Sequence, residues 1–124
     1  MTPKEIKTIA QAMLDKKALR VVSLNLKKTG SAIADHFIIC DAPSTTQVRA
    51  IADNVEEQMI IKHKIKAIRT QGQENGFWVI IDYGDAVVHV FQSEQRDFYR
   101  LEDLWADAKR TEYSEEKEDG KQEK

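Results

Sequence analysis

Trp78-Val79-Ile80-Ile81-Asp82-Tyr83-Gly84-Asp85-Ala86-Val87-Val88-His89-Val90-Phe91 is the stretch that decides the fold. Two apolar runs rich in β-branched residues flank Tyr83-Gly84-Asp85. A connection so short, with a glycine in it, implies an antiparallel hairpin. Alternation places Phe77, Val79 and Ile81 on one face and Trp78, Ile80 and Asp82 on the other. If the first set faces the helices, Trp78 and Ile80 are left on an apolar, less protected face. An aromatic beside carboxylates is the material of an interface, because the ring anchors in a pocket while the charges steer. The alternative is that the C-terminal helix covers Trp78; composition leaves both readings open.

Upstream of the hairpin, Gly72 to Gly76 reads as a polar loop and Ile65 to Arg69 as a third strand. Ser44 and Gln47 form a capping box ahead of an apolar stripe at Val48, Ile51, Ala52, Val55 and Met59, which predicts the second helix. His36 to Cys40 is apolar almost throughout, as a strand inside a sheet should be. Arg20 to Leu26 has period two, with Val22, Leu24 and Leu26 on one face. Lys27 to Ala34 is a loop containing Gly30. At the N-terminus Thr2 caps, Pro3 sits where its missing N–H is harmless, and Glu5 completes the box. Ile6, Ile9, Ala10, Met13 and Leu14 then mark a helix to about Lys16.

Downstream, Ser93 and Glu94 start a last helical region, with Phe98, Leu101, Leu104, Trp105 and Ala108 at helical spacing. After Arg110 the chain turns to Glu, Lys, Asp and Gln. Such a segment cannot offset its ordering entropy and is expected to be disordered. The order is α-β-β-α-β-β-β-α. The fold class is α/β (α+β), a single mixed five-stranded sheet with helices packed on it. One domain spans residues 1–109, followed by a charged tail over 110–124.

The chain has 124 residues, 41% of them hydrophobic, a formal net charge of −2 and a single cysteine, Cys40. Chains of this size bury roughly two-thirds of their unfolded surface, enough for a core without staples. One cysteine allows no internal disulfide and fits a reducing compartment. The start Met1-Thr2-Pro3-Lys4-Glu5 lacks the basic-then-apolar order of a signal peptide, and no apolar run approaches the roughly 20 residues that span a bilayer. A cytoplasmic protein with no membrane partner is the expectation. The charge balance speaks against dominant nucleic-acid binding, which usually needs a basic surplus. The pairs Lys16-Lys17 and Lys27-Lys28 are short, and lysines near a helix end commonly complement the dipole. A basic protein partner fits more easily.

Catalytic constellations are sparse. Gly30-Ser31 ahead of Asp35, with Asp82 and Asp85 elsewhere, raises a Mg²⁺-dependent nucleotidyltransferase reading. Such sites set two carboxylates one residue apart on a strand, whereas Asp35 is followed by His36 and Phe37. Asp82 and Asp85 flank a turn, where aspartate bonds nearby backbone. His36, His63 and His89 lack metal-ligand spacing, and His89 reads as a hydrogen-bonded structural histidine. Cys40 reads as a small buried hydrophobe. Ser44 is explained by its cap, and no phosphate-cradling loop occurs. The sequence leads to the expectation of no catalytic residue, no cofactor and no metal.

Asp35 to Cys40, Ser44 to Val48, Trp78 to Phe91 and Arg96 to Trp105 together resemble the ribosomal silencing factor, or Iojap-like, family. The most specific pieces are Trp78, Asp82, Gly84 and Asp85, then Val88-His89-Val90-Phe91, and then Tyr99, Leu101, Glu102, Leu104 and Trp105. The resemblance covers residues 3–108 and departs at Gln71-Gly72, where the family often has Glu-Gly. It implies a nucleotidyltransferase-like topology without the catalytic site. It also implies binding to the large ribosomal subunit through its L-fourteen protein, blocked joining of the small subunit and repressed translation. Carried over by position, the partner-binding residues are Trp78, Ile80, Asp82, Tyr83, Asp85, Val88, His89, Phe91, Tyr99, Glu102 and Trp105. Two other readings remain: the nucleotidyltransferase, and an RNA-binding ribosome assembly factor. Whether the free protein is a homodimer is open on the sequence.

Overall fold

The computed structural model describes residues 1–29 and 34–114. Thr2 opens α1 (Pro3–Asp15) with the expected reciprocal capping box to Glu5. β1 (Leu19–Asn25) and β2 (His36–Ala42) follow, then α2 (Thr45–His63), β3 (Arg69–Gln71), β4 (Trp78–Asp82) and β5 (Ala86–Gln92). After them come α3 (Ser93–Tyr99), a 3-10 turn at Leu101–Trp105 and β6 (Lys109–Tyr113). The strands form one sheet in the order β3-β4-β5-β2-β1-β6. Among the described residues only β2 and β5 pair in parallel; the other neighbours are antiparallel, including the β4–β5 hairpin. The mixed α/β class is as expected, with six strands among the described residues in place of five.

Each face of the sheet has its own core. α1 and α2 lie on one face and bury Ile9, Met13, Ile51, Val55 and Met59 against Val21, Ile38, Cys40, Val79, Ile81, Val88 and Val90. On the other face Val22, Leu24, Leu26, Phe37, Ile39 and Phe91 gather under Leu101, Trp105 and Ala108 of the C-terminal segment. Burying one such aliphatic side chain stabilises by roughly 1.5–3 kcal/mol, so both layers contribute to holding the sheet. α1 and α2 run antiparallel. Gln47 donates to the Lys16 and Lys17 carbonyls, Asn54 to the Ala12 carbonyl at 2.9 Å, and Thr8 Oγ1 meets His63 Nε2 at 2.8 Å.

Four local expectations need correction. Ser44 caps α2 by accepting from the Gln47 N–H, but the Gln47 amide ties down the end of α1 where a capping box would send it back. The third strand is Arg69–Gln71, not Ile65 to Arg69. Ile65 and Ala67 pack on the core from a connecting segment, so their spacing serves burial without pairing. The last helix breaks at Arg100, whose φ of 49° is left-handed. That break lets Leu101 and Trp105 turn onto the sheet.

The fourth concerns the tail. The expected loss of structure after Arg110 comes too early, because Lys109–Tyr113 pairs with β1 as the sixth strand. Tyr113 bonds Ser23 through their hydroxyls at 3.0 Å. The rest of the expected tail, residues 115–124, lies outside the described residues, as does Gly30-Ser31.

Candidate partner-binding surface

The hairpin register decides which side chains share a face. Trp78 stands opposite Phe91, Ile80 opposite His89 and Asp82 opposite Val87. Even positions of β4 and odd positions of β5 therefore point away from α1 and α2. Trp78 is half-buried there, stacked on Phe91 with ring centres 4.8 Å apart and tilted against Tyr99 at 5.1 Å. Phe98 packs edge-on to Tyr99 at 5.1 Å. The C-terminal segment thus covers part of Trp78 and leaves the rest open, between the two readings of the sequence. Phe98 is 77% exposed and Leu104 71%, both on that segment.

Beneath this step lies a row of buried rings. Trp78 donates its Nε1–H to His89 Nδ1 at 3.1 Å. With Nδ1 accepting, the neutral ring carries its proton on Nε2, which finds no partner among the described residues. Burial pushes the His89 pKa down to about 3. His89 meets Phe37 at 4.6 Å, and Phe37 meets Trp105 at 5.0 Å, both edge-on. His89, as expected, is a hydrogen-bonded structural histidine that sets the plane of Trp78. Beyond Trp78, toward the β3 edge, Arg69, Gln71, Ile80, Asp82 and Val87 line a shallow hollow of about 210 Å³. Gly72 holds the turn beside it, with φ 91°; any Cβ there would collide with the Trp78 carbonyl oxygen.

The C-terminal segment is anchored by an ionic hub that the sequence reading missed. Asp41, fully buried at the end of β2, accepts from Arg20 Nε at 2.9 Å and Nη2 at 3.0 Å. It also accepts from Arg96 Nη1 at 2.9 Å and Ser93 Oγ at 2.5 Å. Buried Arg96 donates further to the Arg20 carbonyl at 2.6 Å and to Glu102 at 2.7 Å. Arg20 has a φ of 49° beside a register shift in β1, which aims its carbonyl at Arg96. Re-aiming one group is a recurrent use of a bulge. The available signal was an aspartate closing an otherwise apolar strand.

The candidate residues separate accordingly. Trp78, Ile80, Asp82, His89, Phe91, Tyr99 and Trp105 come together on this side of the sheet. Of these, His89 and Phe91 are buried and support the surface from below. Val88 faces the opposite way, fully buried against the helices, because β5 alternates out of phase with β4. Tyr83 is also buried on the helix side, and burial raises its phenol pKa. Glu102 is engaged by Arg96. Asp85 is exposed at the hairpin turn and pairs with the Met1 amine. Asp82 accepts the Gly84 N–H at 2.8 Å, the turn chemistry expected of it. Among the described residues no group of three or more His, Cys, Asp or Glu could hold a metal ion.

A sequence profile described as "Ribosomal silencing factor during starvation" matches residues 1–124. The chain belongs to the ribosomal silencing factor family. It is 45% identical over 109 residues to Ribosomal silencing factor RsfS of Halalkalibacterium halodurans, covering 87% of this chain and 92% of that one. It is 39% identical over 103 residues to the RsfS protein of Bacillus subtilis, covering 83% and 86%. The crystal structure of a Chromobacterium violaceum protein superposes with a TM-score of 0.77 at 31% identity, covering 86% of this chain and 88% of that one. Membership in the ribosomal silencing factors assigns this chain a general role in regulating translation at the ribosome. No helix among its described residues is long and apolar enough to cross a membrane.

Proposed function

We propose that the chain acts in the cytoplasm by binding the large ribosomal subunit through its L-fourteen protein. Bound there, it covers the face that the small subunit would join and represses translation without catalysing a reaction. One observation carries the reading: the half-exposed step of Trp78 and Tyr99, continued by Phe98, on a segment that also exposes Leu104, Asp97 and Asp103. Aromatic anchors of this kind supply most of the affinity of an interface, while surrounding carboxylates steer a basic partner. A specific contact of roughly 1,600 Å² would suffice for stable occupancy.

Density-gradient sedimentation of purified subunits tests it. The chain should travel with the large subunit and reduce the fraction of joined ribosomes. Trp78→Ala should weaken that association about thirtyfold, the equivalent of about 2 kcal/mol. Because Trp78 also stacks on Phe91, Tyr99→Ala serves as a second variant whose side chain contributes less to the core. Migration with neither subunit, or normal binding by both folded variants, would sink the proposal.

A further inference from the structure

The antiparallel packing of α1 on α2 brings two distant stretches of sequence to one end of the molecule. Thr8 bonds His63 there, and Thr8 also donates to the Lys4 carbonyl one turn earlier. Lys4 and Lys7 of α1 therefore sit beside Lys62 and Lys64 at the end of α2, with Lys66 just beyond. All five are exposed, and none has an ion-pair partner among the described residues. Two acids that border the rim are already occupied. Glu5 accepts the Thr2 N–H in the capping box, and Asp85 holds the Met1 amine. In a chain whose net charge is −2, this is a local cationic rim of opposite sign.

Its position matters as much as its charge. Met1, bound to Asp85, fixes the start of α1 beside the hairpin turn that ends β4. A partner that reaches Asp85 therefore also approaches the start of α1, where Lys4 and Lys7 stand. Exposed lysines bind phosphates as point charges and release condensed counterions.

We infer that this rim is a second contact surface, and that it takes the phosphate backbone of ribosomal RNA next to the protein partner. The inference rests on the ribosome-binding reading above and adds a contact of different chemistry. Recognition is by charge alone: five point cations carry no base specificity, so the rim adds affinity and orientation without selecting a sequence.

Salt titration of binding tests it with the whole chain. Lys7→Gln, Lys62→Gln and Lys66→Gln are combined, leaving Lys64, whose φ of 59° closes α2, in place. Affinity for purified large subunits is measured between low and physiological salt, alongside affinity for the isolated L-fourteen protein. Losing three phosphate contacts should flatten the slope of log affinity against log salt by about 2 to 3, roughly thirtyfold less salt sensitivity across that range. Affinity for the isolated protein should stay unchanged. An unaltered slope overturns the inference while leaving the ribosome reading intact. An equal loss toward the isolated protein also overturns it, since the lysines would then face protein. If the unsubstituted chain binds no subunit at any salt, the ribosome reading fails and takes the rim with it.

Discussion

His89 shows how much one buried ring can decide. It accepts from Trp78, lies edge-on to Phe37, and is neutral because burial has lowered its pKa to about 3. In the unfolded chain the same group titrates near 6.5. The unfolded state therefore binds the extra proton first as pH falls. The stability is fully present above about 6.5 and is lost progressively toward 3. Between pH 7 and pH 5 the loss should be about 2 kcal/mol from this ring. His36, lowered by burial and then by Lys27 and the N-terminal amine, adds to the loss in the same direction. Urea midpoints at the two pH values check the point. The pH-dependent loss should be smaller by about 2 kcal/mol in His89→Phe, and an equal loss in both proteins would refute it.

At the scale of elements, the C-terminal segment depends on the hub at Asp41 more than on its own helical propensity. α3 is short and ends at a left-handed arginine, so tertiary contacts must hold it. Replacing Arg96 with Met removes its bonds to Asp41, to Glu102 and to the Arg20 carbonyl. Stripping one partner from a buried ionic cluster should cost about 3 kcal/mol, read from chemical denaturation. Hydrogen exchange should show amides of Ser93 to Trp105 losing protection before those of β2 and β5. Uniform loss across the sheet would contradict this.

The same elements show what a sequence discloses. The β4–β5 hairpin was readable because alternating β-branched residues and Gly84 point to one solution. α1 and α2 were readable from their caps and stripes. β6 was not, because an edge strand with no fully buried face carries no apolar signature. The break at Arg100 was hidden because no glycine or proline marks it. Within the candidate surface, Trp78 and Asp82 stand on the face that alternation gave them, and Tyr99 packs against Trp78. Val88 does not, since only the pairing of Trp78 with Phe91 reveals the phase of β5. Asp41 with Arg96, and the lysine rim, join residues that only tertiary packing brings together.

At the scale of the whole molecule the two sheet faces divide the labour. The helix-covered face is a closed core. The other is closed over β1 and β2 and open toward β3 and β4, where Ile80 and Val87 are half-buried. Phe98 and Leu104, both exposed on that side, can therefore be truncated with little effect on the core. Truncating either to Ala should move the unfolding free energy by no more than about 0.5 kcal/mol. The same truncations should weaken binding to the large subunit by about tenfold each if they enter the contact, which corresponds to about 1.4 kcal/mol. Calorimetry on the free chain and sedimentation with subunits distinguish the two effects. Unchanged binding would confine the contact to Trp78 and Tyr99.

The sheet order has a further consequence for how the chain is made. Its central parallel pair sets Ile38 against Val88, and its last pair sets Val21 against Tyr113. Pairings that distant in sequence make folding slow for the chain's size, because the loop must close before the contact rewards it. During synthesis β1 and β2 emerge early and wait as a hairpin with two unpaired edges. The surface around Trp78 cannot assemble until Trp105, which packs on Phe37, has also been delivered. The order of synthesis therefore leaves this surface unfinished on a nascent copy until Trp105 has been translated.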